Sequence, residues 1–250
     1  MGDTFASLIN ILPDPNNSIA DDGGGDSDNT GYTTGPGFKS IKFTSQAPVQ
    51  ISRTNSGRVI TRQIAGHKWT IAITYNPMTR DQFEPIYSFL LQRKGRLNPF
   101  YVVLPNQKES RNSDFVTWLA ANTNRAIAVD GALNAGVEVM KQDGYSTTPA
   151  TQPQPGDMFT ITDSSDSLHT KIYRVTRITN EDNYLSGSVP ADVERYIYFT
   201  PNLQRATSND STINYTNPQI RVILKNDVQE FSLGTNNLYT FSLNLEEAQA

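Results

Sequence analysis

The chain offers few residues that could do chemistry. There is no cysteine, and His67 and His169 are its two histidines. Thiol nucleophiles, disulfides, Cys-type zinc sites and a three-histidine metal site within one chain are therefore excluded. Neither histidine has a G-x-S-x-G partner, and there is no Walker loop, H-E-x-x-H or G-x-G-x-x-G. His67 shares an alternating stripe with Trp69 and reads as a packed or interface residue, and His169 reads as equally plain. Gly23-Gly24-Gly25 neither follows a strand nor opens a helix, so it is no phosphate cradle. Two acidic pairs could suggest glycoside hydrolysis. Glu181-Asp182 lies between Asn180 and Asn183 and reads as a solvated turn, while Glu246-Glu247 ends a strand whose neighbouring side chains point to opposite faces. The expectation is no catalytic residue, no metal and no cofactor. Arg93-Lys94-Gly95-Arg96 forms a compact basic tip. It reads either as a helix end with a solvated turn or as a contact for an acidic partner subunit or a nucleic-acid backbone, the net charge favouring protein.

Composition agrees with a role in contacts. Charged residues make up 18% of the 250, and Tyr and Phe each occur 11 times. Polar uncharged and aromatic residues suit strands and protein–protein surfaces. The net charge of −4 argues against a dominant nucleic-acid footprint. No run approaches a membrane span, and Met1–Leu12 lacks the basic region of a signal peptide. A soluble protein made in a cytoplasm is expected.

Several elements can be read directly. His67, Trp69, Ile71, Ile73 and Tyr75 alternate with Lys68, Thr70, Ala72 and Thr74, which predicts a half-buried strand. Shorter strands are predicted around Ile41–Phe43, Val49–Ile51 and Arg58–Ile64. The period then changes to 3.6: Phe83, Ile86, Tyr87, Leu90 and Leu91 share a helical stripe over about 80 to 93. Thr79 and Gln82 make a capping box, Gly95 supplies the stop, and Pro85 is discordant. Phe100–Leu104 reads as a strand. Asp114–Asn122 reads as a short helix, with Phe115, Trp118 and Leu119 on one side. Strands follow at Ala126–Val129, Val137–Met140, Met158–Thr162, Lys171–Ile178 and Arg195–Phe199. Pro149–Pro155 and Ala206–Asn217 read as breaks. Ile220–Leu224 and Tyr239–Leu245 alternate again. Strands at this spacing mark an all-β sandwich or barrel.

The organisation expected is discontinuous. Residues 1–37 form a flexible, acidic, Gly-rich arm, read either as a plain disordered leader or as a tether whose apolar cluster (Phe5, Leu8, Ile9, Ile11, Leu12) docks on a neighbour. Residues 38–109 and 216–250 form one β-domain, and 110–215 form a second, looped out of it. Two consecutive domains are the simpler alternative. The core is expected at Trp69, Ile71, Phe83, Ile86, Leu90 and Phe100.

The stretch from Gly37 to Pro105 carries a resemblance. It runs through Phe43, Arg53, Ser56-Gly57, Arg62, Gly66, Trp69, Pro77-Met78-Thr79, Phe83, Pro85-Ile86 and Phe89-Leu90, and closes on Lys94-Gly95-Arg96-Leu97-Asn98-Pro99-Phe100 through Pro105. This layout resembles the tail-tip and distal-tail proteins of tailed bacteriophages, including the lambda-type minor tail protein M group. Leu238–Ala248 resembles their closing strand. Pro155–Ile161 with Lys171–Thr176 looks like a small β-barrel insertion of phage structural proteins. The resemblance implies a mainly β fold: a tail-tube-like β-sandwich with a flanking α-helix, plus an inserted small β-barrel. It implies a non-enzymatic structural part of the virion tail, assembled in the bacterial host cytoplasm. It also implies self-association into a ring, six-fold or else three-fold, beside neighbouring tail-tube and baseplate proteins. Arg93, Lys94, Arg96, Phe5, Leu8 and Ile9 are then the expected inter-subunit contacts.

Two rival readings stand beside it. One is a carbohydrate- or receptor-binding tail module that stacks sugars on Tyr145, Tyr173, Tyr184, Tyr196 and Tyr198. The other is a polysaccharide hydrolase built on dispersed carboxylates. On the arm reading, deleting residues 1–36 leaves a folded protein that assembles poorly, and normal incorporation of that deletion into particles would contradict it.

Overall fold

The computed structural model describes residues 10–13, 37–63, 66–123, 126–148, 151–179 and 194–248. Two compact units emerge. Among the described residues, one holds those up to Val102 together with Arg221–Ala248, and the other holds those from Val103 to Ile220.

The first unit opens with strands β1 (Phe38–Gln46), β2 (Val49–Arg53), β3 (Val59–Gln63) and β4 (Lys68–Tyr75), then helix α1 (Arg80–Gln92) and β5 (Phe100–Val102). The second unit holds α2 (Ser113–Ala121) and strands β6 (Ile127–Val129), β7 (Val139–Asp143), β8 (Met158–Thr162), β9 (Ile172–Thr179), β10 (Arg195–Thr200) and β11 (Thr212–Asn214). The chain ends with β12 (Ile220–Leu224), β13 (Phe231–Leu233) and β14 (Tyr239–Glu247).

In the first unit the sheet order is β1-β4-β14-β12-β5, with β13 paired to β14. Ile73 lies opposite Leu243 and Ile71 opposite Leu245, so the apolar residues of both strands fall on one face. Helix α1 covers that face. Phe83 stacks on Tyr239 at 4.6 Å, and Phe89 meets Phe100 edge-on at 5.4 Å. Gln82 Oε1 accepts from the Thr79 amide at 3.0 Å, one half of the expected capping box. Pro85 lies inside the helix.

Four expectations change. Leu91 is 55% exposed, and Phe89 takes its place in the core. The buried face therefore follows Phe83, Ile86, Phe89 and Leu90, rotated from the stripe read in the sequence. At the helix end Lys94 as well as Gly95 adopts positive φ, at 53° and 65°. Strand β13 is additional to the strands that alternation predicts. Finally, part of the apolar leader is used within its own chain. Tyr101 N donates to Asn10 O at 2.6 Å, Leu12 N donates to Tyr101 O at 2.8 Å, and Leu12 is 4% exposed. Residues 10–13 thereby cover the open side of β5, which would otherwise present unpaired backbone groups. Phe5, Leu8 and Ile9 lie outside the described residues.

The second unit is a closed antiparallel barrel in the order β10-β7-β6-β11-β8-β9. Strand β11 sits in the Thr/Ser/Asn-rich stretch read as a break, yet it pairs with both β6 and β8 and closes the barrel. Phe115 of α2 is fully buried in the barrel core beside Tyr145 and Tyr215. A Cβ on Gly144, where φ is +87°, would lie 2.4 Å from the Ala126 carbonyl oxygen, so the close approach of these segments requires glycine.

Leu12→Ala should destabilise the first unit by about 2–4 kcal/mol through the cavity it leaves. Urea unfolding of the full chain checks this, and an unchanged midpoint would show that the leader contributes nothing to its own sheet.

Candidate assembly surface

The strands β1–β4 form one long hairpin. β1 pairs with β4 from Phe38↔Tyr75 to Gln46↔Lys68, and β2 pairs with β3 from Val49↔Gln63 to Arg53↔Val59. The inner part is held in the sheet. The outer part stands apart as a two-stranded sheet, and every residue of β2 is exposed. Its tip is ordered locally: Gly57 N donates to Thr54 O at 2.9 Å, Gly57 has φ of +81°, and Arg58 N donates to Thr54 Oγ1 at 3.2 Å. Directly opposed residues share a face, so Val49, Ile51, Arg53, Val59 and Thr61 lie together.

A second open surface lies at β13. Phe231 and Leu233 are exposed, as is Val228 just before them. Here Arg96, Asp227, Val228, Glu230 and Asn244 line a shallow groove of about 520 Å³. The basic tip reaches the same place. Arg96 N donates to Asp227 Oδ1 at 3.3 Å, Arg96 Nε lies 3.8 Å from the same oxygen, and its guanidinium donates to Lys225 O.

The residues expected at a tip contact thus separate. Arg93 is 6% exposed, donates to Asn10 Oδ1 at 3.2 Å and sits 4.6 Å over the Phe89 ring. It holds the leader segment in its own chain instead of standing at the surface, because the helix ends with its guanidinium facing inward. Lys94 and Arg96 lie at the exposed turn. Trp69, Ile71, Phe83, Ile86, Leu90 and Phe100 are all buried.

The histidines sit in packing roles. His67 Nε2 is 2.7 Å from Ser45 Oγ, and the ring meets Trp69 edge-on at 4.4 Å. His169 Nε2 is 2.9 Å from the Tyr173 hydroxyl, and burial pushes the imidazole pKa below its ordinary value despite Asp166 and Asp163 nearby. Lys68 binds Glu246 at 2.9 Å, while Glu247 points the other way, is buried and accepts from the Trp69 amide at 3.0 Å. The two carboxylates do not face one another, which agrees with strand geometry. No group of His, Cys, Asp and Glu among the described residues could hold a metal ion. Among those residues no helix is long and apolar enough to cross a membrane.

Tyr145 and Tyr173, two of the tyrosines considered as sugar platforms, have no exposure at all. Both belong to the barrel core. The hydroxyls of Tyr145 and Tyr215 donate to Gln142 Oε1 at 2.5 and 2.8 Å, and burial raises both phenol pKa values. Tyr196 is also buried, and Tyr184 lies outside the described residues.

The family model described as "Distal tail protein pb9, A domain, N-terminal" matches residues 28–107. The chain is similar to phage distal tail proteins. Over 159 residues it is 23% identical to Distal tail protein pb9 of Escherichia phage T5, a match that covers 64% of this chain and 70% of that relative. The part shared with the distal tail family model includes the long hairpin, α1 and β5. The similarity supports a structural component of a phage tail, carried in the virion. The hairpin strands are legible at Val49–Ile51 and Arg58–Ile64, but their exposure and the β13 edge left no sequence signal. Alternation predicts strands, but it does not say which strands lack a sheet to cover them.

For His169 the folded-state pKa lies below the ordinary 6.5, so the unfolded chain takes up its proton first as pH falls. The histidine's contribution to stability is therefore complete above about pH 6.5 and declines below it. His169→Gln should flatten the loss of stability between pH 7 and 5, measured by denaturant unfolding at each pH. An identical slope in the variant would contradict this placement of the imidazole.

Proposed function

We propose that this chain is a structural subunit of the distal end of a phage tail. It forms a ring, six-fold or else three-fold, that joins the tail tube to the tip or baseplate by protein contacts and without catalysis. The observation that carries this reading is the hairpin. It lies inside the segment similar to distal tail proteins and exposes Val49, Ile51, Val59 and Ile60 to solvent. An isolated two-stranded hairpin is marginal in water, and clustered exposed apolar side chains mark a contact surface.

In this reading residues 38–109 and 216–250 are the tube-like domain, 110–215 are an inserted domain, and 1–37 are an arm. Lys94 and Arg96, with Phe5, Leu8 and Ile9, add contacts to neighbouring tail proteins. A ring requires heterologous contacts, in which two different patches of one chain meet on successive copies. The first unit carries two such patches, the hairpin and the β13 edge. The sugar-binding alternative is less well supported, because Tyr145 and Tyr173 lie in the barrel core with no exposed face.

Native mass measurement with negative-stain imaging of the full chain, alone and with isolated tail tubes, tests the reading. Open-centred rings, free or capping tubes, are expected. Monomers that never associate with tubes, together with binding on a glycan array, would overturn it.

A further inference from the structure

The hairpin and the β13 edge are complementary in chemistry. Between Asp28 and Asp81 the sequence contains no carboxylate, so the hairpin's charges are the cations Arg53, Arg58 and Arg62. Arg53 shares a face with Val49, Ile51 and Val59, and Ile51 is 64% exposed. At the other surface, Asp227 and Glu230 flank Val228, which is 68% exposed, and Phe231 and Leu233 follow in β13. The Asp227 carboxylate is 74% exposed even with Arg96 at 3.8 Å. An exposed pair of that kind is worth little and gives way readily to a second arginine.

β13 pairs with β14 along one side, and among the described residues no strand lies on its other side. An added strand would satisfy the groups along that open side, the mode of association that extended segments use on sheet edges.

The geometry points to a second copy of this chain as the occupant: the β2–β3 hairpin of one subunit lies along Asp227–Leu233 of the next. Val49, Ile51 and Val59 cover Val228, Phe231 and Leu233, while Arg53, on the same face of the hairpin, meets Asp227 and Glu230. Nucleic acid fits this face poorly, since the same side of the hairpin that carries Arg53 presents three aliphatic side chains. Because the hairpin and the edge are different surfaces, the contact is heterologous and repeats around an axis. This inference rests on the ring reading and adds which two surfaces close the ring.

The lack of cysteine makes the test direct, because any disulfide must come from the introduced residues. Full chains carrying Ile51→Cys and full chains carrying Val228→Cys are oxidised separately and as a mixture, and Leu233→Cys replaces Val228→Cys in a second mixture. Each sample is also examined by native mass, alone and on tail tubes. A cross-linked dimer is expected from at least one mixture and from no single variant. A chain bearing both substitutions should give a ladder that ends at the ring order. Rings without a mixed cross-link at either edge position would overturn this contact and leave the ring reading standing. Cross-linking of Ile51→Cys to itself would overturn it in favour of a two-fold hairpin-to-hairpin pair. Absence of any ring, with no cross-link, would overturn both readings. As a second measure, Arg53→Glu should weaken ring formation at concentrations where the native chain assembles. Adding Glu230→Arg to that variant should restore part of it. Unchanged assembly of the Arg53→Glu variant would contradict the contact.

Discussion

The pairing of β14 with β4 is the constraint on which the first unit depends. β4 is buried along one face through Trp69, Ile71, Ile73 and Tyr75, and the preceding hairpin gives it a partner on one side only, β1. The other side is filled by residues Ser242–Glu246, far along the chain. Everything between β5 and β12 must therefore leave this sheet and return to it. The second unit solves that problem by closing on itself: six short strands leave no open barrel edge, and its own aromatic core forms around Phe115, Phe159 and Tyr173. Long-range pairing of this kind is costly in loop entropy until both strands meet, so the separately closed barrel limits how much loose chain the return must order.

The barrel also shows how polar residues support a small core. Asp157 is nearly buried and accepts from the amides of Arg111 at 3.1 Å and Gln154 at 2.7 Å, which ties the entry to α2 to the start of β8. Asp163 is buried as well. Desolvation opposes its ionisation, yet the amides of Ser208 and Ser165 donate to it and hold its pKa down. Such carboxylates take the place of backbone pairing where strands turn. Each joins one nearby amide, Gln154 or Ser165, to a distant one, Arg111 or Ser208, and no local pattern announces the distant partner.

The elements with strong periodicity are legible in the sequence. β4, α1 and β14 each carry at least four apolar residues at a fixed spacing, and the first core is built from them. The misreadings have physical causes. In α1 either Leu91 or Phe89 could complete the stripe, and only the position of Phe100 decides for Phe89. β11 has one apolar residue, Ile213, between Thr212 and Asn214, so its strand character comes from its two neighbours alone. Arg93 reads as a surface cation because arginine usually is one, but its guanidinium is placed by Asn10, 83 residues earlier. Tyr145 and Tyr173 read as stacking platforms because tyrosine suits both a core and a sugar site, and burial alone distinguishes them.

What remains exposed is as informative as what is buried. The first unit closes one edge with its own residues 10–13 and leaves the hairpin and β13 uncovered. A cryo-electron microscopy map of the virion tail, at a resolution that traces strands, tests the account most directly. It should show this chain as a closed ring at the distal end of the tube, with the first unit around the channel and each hairpin resting on an adjacent subunit. A map that places the chain elsewhere in the particle, or at the distal end as isolated copies without mutual contact, would contradict it.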